Sequence, residues 1–192
     1  MKVNEIFQSI QGESLYAGFP TVFVRFSGCN LRCSYCDTAY AYEEGTNMEP
    51  QEVLDEIKKY YYKRVCITGG EPLLQKDIEK LLLLLADYDV TIETNGSMDI
   101  SLIKLISKHS YVMDVKCPSS GVSEEMNFHN FEYLSERDEI KFVVGGKEDY
   151  KWAKGIIRDH YKKGTITFSP VFGNIEYCDL VDWILKDKLD VR

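Results

Sequence analysis

Apolar residues along this 192-residue chain fall into short blocks that switch between two periods. Blocks rich in β-branched and aromatic side chains predict strands over 21–26, 64–68, 89–94, 111–115, 139–144 and 165–168. Between them, apolar positions at helical spacing predict helices over 50–62, 73–87, 100–109, 149–161 and 176–186. The first helix places Pro50 in its opening turn and aligns Val53, Leu54, Ile57 and Tyr61 on one face. The leucines at 81–85 cover too many faces for a surface helix and predict burial, with a homodimer contact among its forms. Residues 117–130 keep neither period, and the closing KDKLDVR reads as a last strand just begun.

Strand–helix alternation implies parallel strands joined by right-handed crossovers. Six such strands build an open barrel or a doubly wound sheet, and in both a ligand lies beyond the carboxyl ends of the strands. The polar and glycine-rich residues collect at those ends, over 28–36, 68–71, 93–96 and 114–116, with Ser169 and Pro170. Glycine after one strand is ordinary turn punctuation. Four such turns carrying charged or hydroxyl groups point to one shared site.

An apolar fraction of 44% suits a single domain over 1–192 with a sizeable core. The net charge of -8 argues against a surface that wraps nucleic acid or binds an anionic membrane. The opening MKVNEIFQSIQGES lacks the apolar core of a signal peptide, and the longest apolar run, 81–86, is too short to span a bilayer. A cytoplasmic protein is therefore expected. In that compartment six cysteines read as metal ligands, catalytic groups or core residues before disulfides.

Three of the six stand in SGCNLRCSYCDTAY, residues 27–40, as a C-x3-C-x2-C run. Thiolates select zinc or an iron–sulfur cluster. Closed tetrahedral zinc wants a partner for the Cys33–Cys36 pair, and His109, His129 and His160 lack ligand spacing. A cubane cluster on Cys29, Cys33 and Cys36 would keep one iron open to a small molecule, which suits catalysis. A zinc knuckle completed by a distant residue is the structural alternative. Asn30, Leu31 and Arg32 are expected to keep the loop polar and exposed, and Tyr35 to pack beside the bound group. Cys66 and Cys178 are expected in the core, and Cys117 is incidental.

The run follows a first strand, and Gly69-Gly70-Glu71-Pro72 ends the second. This pattern resembles the radical S-adenosylmethionine superfamily. The resemblance implies an α/β fold, a partial, open TIM-like barrel of about six parallel strands with outer helices. It implies a [4Fe-4S] cluster on Cys29, Cys33 and Cys36, chelated at its open iron by S-adenosylmethionine. Gly69, Gly70 and Glu71 are then expected to hold the methionine amino group, and Glu93 and Asn95 the ribose or methionine moiety. Asp114, Val115 and Lys116 are expected to contact the same cofactor. A helix N-terminal carboxylate is a compatible reading of Glu71.

EIFQSIQGES (5–14), FVRFSGCNLRCSYCDT (23–38), ITGGEP (67–72), DVKCPSSG (114–121) and FSPV (168–171) together resemble the 7-carboxy-7-deazaguanine synthase family over nearly the whole chain. That resemblance implies a lyase that contracts 6-carboxy-5,6,7,8-tetrahydropterin to 7-carboxy-7-deazaguanine with loss of ammonia, in 7-deazapurine and queuosine biosynthesis. S-adenosylmethionine would serve as a regenerated radical source, and a low-potential donor such as flavodoxin or ferredoxin would reduce the cluster. Residues 1–20 would form a substrate-binding segment ahead of a barrel over 21–192. In it Ile10, Gln11 and Gly12 offer the pterin an apolar face, an amide pair and backbone hydrogen bonds, and Glu13 assists. Arg25, a charge in an otherwise apolar strand, is expected to meet the substrate carboxylate through its planar fork. Thr68 adds a contact. Thr38 is expected to bind Mg2+; without the resemblance, Asp37-Thr38 reads as a cap. Three rival readings are weighed. A glycyl-radical enzyme activase shares the cysteine spacing but needs no QSIQGE lead. An electron carrier leaves GGEP unexplained and normally uses four protein ligands. A zinc-dependent binding module is the third.

Overall fold

Eight strands join into one open sheet in the computed structural model, which describes residues 1–161 and 163–192. They are β1 (Lys2–Ile10), β2 (Pro20–Phe26), β3 (Thr46–Asn47), β4 (Arg64–Gly69), β5 (Asp89–Thr94), β6 (His109–Asp114), β7 (Glu139–Val144) and β8 (Thr165–Pro170). The order is β3-β1-β2-β4-β5-β6-β7-β8. From β2 onward every pairing in that order is parallel, whereas β1 lies antiparallel on β2 and β3 antiparallel on β1. The helices α1 (Pro50–Ile57), α2 (Ile78–Leu84), α3 (Lys147–His160) and α4 (Tyr177–Asp187) lie in the connections. Strands β3 and β8 stay at opposite edges, so the barrel is partial.

Period-two alternation sorts the strand side chains. Val24, Ile67, Ile92, Met113 and Ile140 enter the core that the helices cover. The alternate positions Arg25, Thr68, Glu93, Asp114 and Lys141 line a cavity on the other face. Parallel strands buried on both faces normally read as continuous apolar runs. A polar residue at the inward phase of five strands therefore marks a lumen, not a packed barrel interior. The chain after β1 crosses this lumen. Leu15 N–H donates to Glu139 Oε2 at 3.1 Å, Lys141 pairs with Glu13 at 2.9 Å, and Arg192 donates to Ser14 O at 3.1 Å.

The six predicted strands lie within two residues of those observed, but long-range contacts override local pattern elsewhere. The stretch before residue 20 contains β1, whose alternation is blurred by a bulge between Val3 and Glu5. The helix predicted over 73–87 breaks near Gln75. That buried side chain donates to Ser27 O and accepts from Lys2 N, holding its own backbone extended, and α2 starts only at Ile78. The helix predicted over 100–109 shrinks to a 3-10 turn, Ile100–Leu102. The Asn130 amide anchors the turn's start, accepting Ile100 N–H and donating to Gly96 O and Met98 O, and the turn keeps its own Ile103 N–H to Ile100 O bond. The helix predicted over 50–62 ends at Ile57, leaving Tyr61 in solvent. Among the leucines at 81–85, Leu83 is exposed and Leu84 partly so, and Cys178 is exposed too, contrary to the predicted burial. Residues 189–192 form no strand, although Arg192 exchanges backbone hydrogen bonds with Ile166 and Phe168.

Asp138 closes a gap in the sheet. It is buried, and its carboxylate accepts Tyr111 N–H at 2.7 Å and Ser135 N–H at 2.6 Å. Asp138→Ala strands both donors and is expected to cost about 2–4 kcal/mol. Thermal melts should show Tm lowered by roughly 4–16 °C for a chain of this length. An unchanged Tm would show that water replaces the carboxylate at no cost.

Candidate active site

The loop after β2 carries the three cysteines, and its shape is set by close backbone approach. Gly70 N–H donates to Phe26 O at 3.0 Å and Glu71 N–H to Gly28 O at 2.8 Å. A Cβ on Gly70 would lie 2.0 Å from Gly28 O, so only glycine lets the β4 end rest on the cysteine loop. Arg32 closes the loop by donating to Cys29 O and Leu31 O, and its guanidinium lies 4.1 Å from the Tyr42 ring centroid. A hydrogen bond to the Cys36 thiol, together with burial, pushes the Tyr42 phenol up to about 12. Leu31, expected to be exposed, is buried. Tyr35 packs inward and donates to Val143 O at 3.3 Å.

Cys29, Cys33 and Cys36 border a cavity of about 480 Å³ at the carboxyl ends of the parallel strands. Gln11, Glu13, Arg25, Thr38, Thr68, Gly69, Gly70, Glu93, Asn95, Asp114 and Lys116 also border it. Each of its cations is paired. Arg25 Nε meets Glu5 at 2.7 Å, beside the rings of Phe7 and Tyr40. Lys116 meets Asp114 at 2.9 Å, and Lys141 meets Glu13 at 2.9 Å and Asp114 at 3.6 Å. Burial opposes charge on all three members of the Asp114 cluster, but their mutual attraction prevails: the Asp114 carboxyl is held down and both lysines are pushed up. Glu93 accepts from Thr68 Oγ1 at 2.7 Å and Gln11 Nε2 at 3.3 Å.

Four residues expected at the site do not line the cavity. Ile10 pairs with Pro20 at the start of β2, opposite the cysteine loop, and is 57% exposed, because β1 runs antiparallel to β2. Gly12 is exposed outside the cavity, and its N–H is held by Gln11 Oε1 at 2.9 Å. Val115 points into the apolar core. The Glu71 side chain is 0% exposed and does not reach the cavity: one oxygen accepts Leu73 N–H and Thr94 Oγ1–H, the other Asn95 N–H at 2.7 Å. Lys141 was missed. The signal was present, since a lysine inside EIKFVV is as anomalous as Arg25 inside TVFVRF.

The donor set fits the cofactors that the cysteine spacing implies. The thiols are free and half-buried on one loop, as an open-cornered cluster requires. Asp114 Oδ1 is a buried acceptor without a donor among the described residues, in a residue that lines the cavity, so it has capacity for a ligand hydroxyl or ammonium. At the rim, Thr38 Oγ1 lies 2.7 Å from Asp37 Oδ1, two hard oxygen donors.

Burial raises the Glu71 carboxyl to about 6 against the pull of its three donors. The folded chain then holds a proton that the unfolded chain releases nearer 4.5, so stability falls as pH rises through that window. Relative to Glu71→Gln, the natural chain is expected to lose about 2 kcal/mol between those pH values in urea titrations. Parallel pH profiles for the two proteins would refute this.

Comparison with known proteins agrees with this geometry. The radical SAM superfamily pattern matches residues 23–184. Proteins named 7-carboxy-7-deazaguanine synthase match along the chain. The one from Methanospirillum hungatei is 45% identical, covering 100% of this chain and 81% of its own. That from Chlorobaculum tepidum is 42% identical, covering 100% and 90%, and that from Clostridium acetobutylicum 44%, covering 98% and 90%. The crystal structure of QueE from Escherichia coli superposes with a TM-score of 0.80 at 23% identity, covering 99% of this chain and 92% of that one, and so shares the fold. The chain therefore belongs to the radical SAM superfamily and, within it, to the 7-carboxy-7-deazaguanine synthase family.

Proposed function

We propose that this protein converts 6-carboxy-5,6,7,8-tetrahydropterin to 7-carboxy-7-deazaguanine with loss of ammonia. One observation carries the reading: the radical SAM cysteine loop and the QSIQGE segment, distant in sequence, border the same cavity. When bound, the cluster and S-adenosylmethionine supply the 5'-deoxyadenosyl radical that abstracts substrate hydrogen. Cys29, Cys33 and Cys36 hold the cluster. The backbone of Gly69 and Gly70, with Asn95, Asp114 and Lys116, holds the nucleoside cofactor. Glu71 acts from behind by fixing the ends of β4 and β5.

The remaining lining residues receive the substrate. Glu13 and Glu93 present carboxylates that match the paired N–H donors of a 2-amino-4-oxo pyrimidine edge. Gln11 and Thr68 orient Glu93, and Lys141 orients Glu13. Arg25 keeps its charge beside Glu5 and directs its remaining guanidinium nitrogens to the substrate carboxylate. Thr38 binds Mg2+, which draws its other ligands from water and substrate. A single domain, a homodimer and a low-potential donor such as flavodoxin or ferredoxin complete the proposal on family grounds. So does a cytoplasmic location, consistent with six free cysteines.

Anaerobic reconstitution with iron and sulfide, followed by S-adenosylmethionine, Mg2+, reductant and the carboxypterin, is expected to give 7-carboxy-7-deazaguanine and ammonia. Cofactor cleavage without either product would reject the substrate. A reduced-cluster resonance spectrum indifferent to S-adenosylmethionine would reject the open corner. Thr38→Ala should raise the Mg2+ concentration for half-maximal turnover by about tenfold, the loss of one ligand worth roughly 1.4 kcal/mol. If the Mg2+ dependence does not move, Thr38 is not a ligand of the ion.

A further inference from the structure

The end of β5 holds a hydrogen-bonded ring in which donors and acceptors can each be assigned. Ser97 N–H can only donate, and it meets Asn95 Oδ1 at 3.0 Å, so that atom is the amide oxygen. Asn95 Nδ2 then faces Asn30 Oδ1 at 3.0 Å and Cys29 Sγ at 3.7 Å. Asn30 Nδ2 donates to Ser97 Oγ at 2.8 Å, and Ser97 Oγ donates to Asn95 Oδ1 at 2.7 Å, closing the ring in one direction. Asn95 is 7% exposed, and its own N–H is held by Glu71. Leu31 N–H reaches the same sulfur at 3.4 Å. Cys29 is thus the cluster cysteine whose sulfur receives two amide donors.

We propose that the Asn95 carboxamide is a redox-tuning residue: its N–H to the Cys29 sulfur makes the cluster easier to reduce. An N–H···S bond withdraws electron density from a thiolate ligand. It offsets the negative charge that an added electron brings, and so raises the reduction potential. The ring aims the donor through contacts that do not involve the cluster. The inference rests on the cluster assignment and concerns electron entry, a step separate from recognition of the pterin.

Asn95→Asp tests it with little change of shape. The new carboxylate still accepts Ser97 N–H, and the Asn30 amide can turn over to donate to it. At Cys29, however, a donor is replaced by a negative oxygen. Reconstituted proteins of matched iron content are titrated electrochemically without S-adenosylmethionine or pterin. The midpoint potential of Asn95→Asp is expected to fall by at least about 59 mV, a tenfold shift in the one-electron equilibrium. Asn95→Ser, which withdraws the amide N–H from the Cys29 sulfur and adds no charge, should fall between Asn95→Asp and the natural chain. Equal potentials in all three would overturn the proposal. Loss of the cluster from both variants would also overturn it, making Asn95 a requirement of the loop's fold. No pterin is present, so a wrong substrate assignment leaves this measurement intact.

Discussion

A carboxylate shut away from water joins three strand ends of this protein. Glu71 accepts Leu73 N–H, Thr94 Oγ1–H and Asn95 N–H, while its own N–H is bonded to Gly28 O. Removing a carboxylate from water is costly, and three well-placed donors offset most of that cost. The result is a weld between the ends of β4 and β5 and the cysteine loop after β2. Asn95, Gly70 and Cys29 take their positions from it, so the cysteine loop is anchored to fixed strand ends.

The lumen that this weld opens onto is unusually charged for the inside of a barrel. Its cations and anions alternate: Arg25 with Glu5, Lys116 with Asp114, Lys141 with Glu13. Buried ion pairs contribute little net stability, because desolvation cancels much of their attraction. Their value here is positional. Lys141 reaches from β7 to the crossing segment and to β6, so one side chain sets the spacing of two acids that line the cavity, Glu13 and Asp114. The apolar half of each strand, facing the helices, supplies the stability that the polar half does not.

Sequence pattern places residues at the cavity where the signal is local. Three cysteines within eight residues, a diglycine turn before Glu71 and a lone arginine in an apolar strand each stand out without reference to distant parts of the chain, and all three features border the cavity. It failed where a partner lies far away. Gln75 bonds Ser27 and Lys2, which interrupts a helix that periodicity favours, and Asn130, thirty residues on, anchors the turn that stands where another helix was expected. Ile10 was placed with its neighbour Gln11, although the chain turns between them: the strand ends at the far rim, and only the residues after it enter the lumen.

Residue order alone therefore dictated the parallel α/β alternation, the grouping of Cys29, Cys33 and Cys36, and the motifs that resemble the family, since each lies along a short length of chain. Which way each site residue points had to await the folded chain. Glu71 turns inward, Val115 enters the core and Lys141 joins the cavity because each orientation depends on a strand's neighbours and on hydrogen-bond partners tens of residues away. A side chain buries or pairs according to what the sheet brings beside it, and that juxtaposition is a property of topology, which no local pattern encodes.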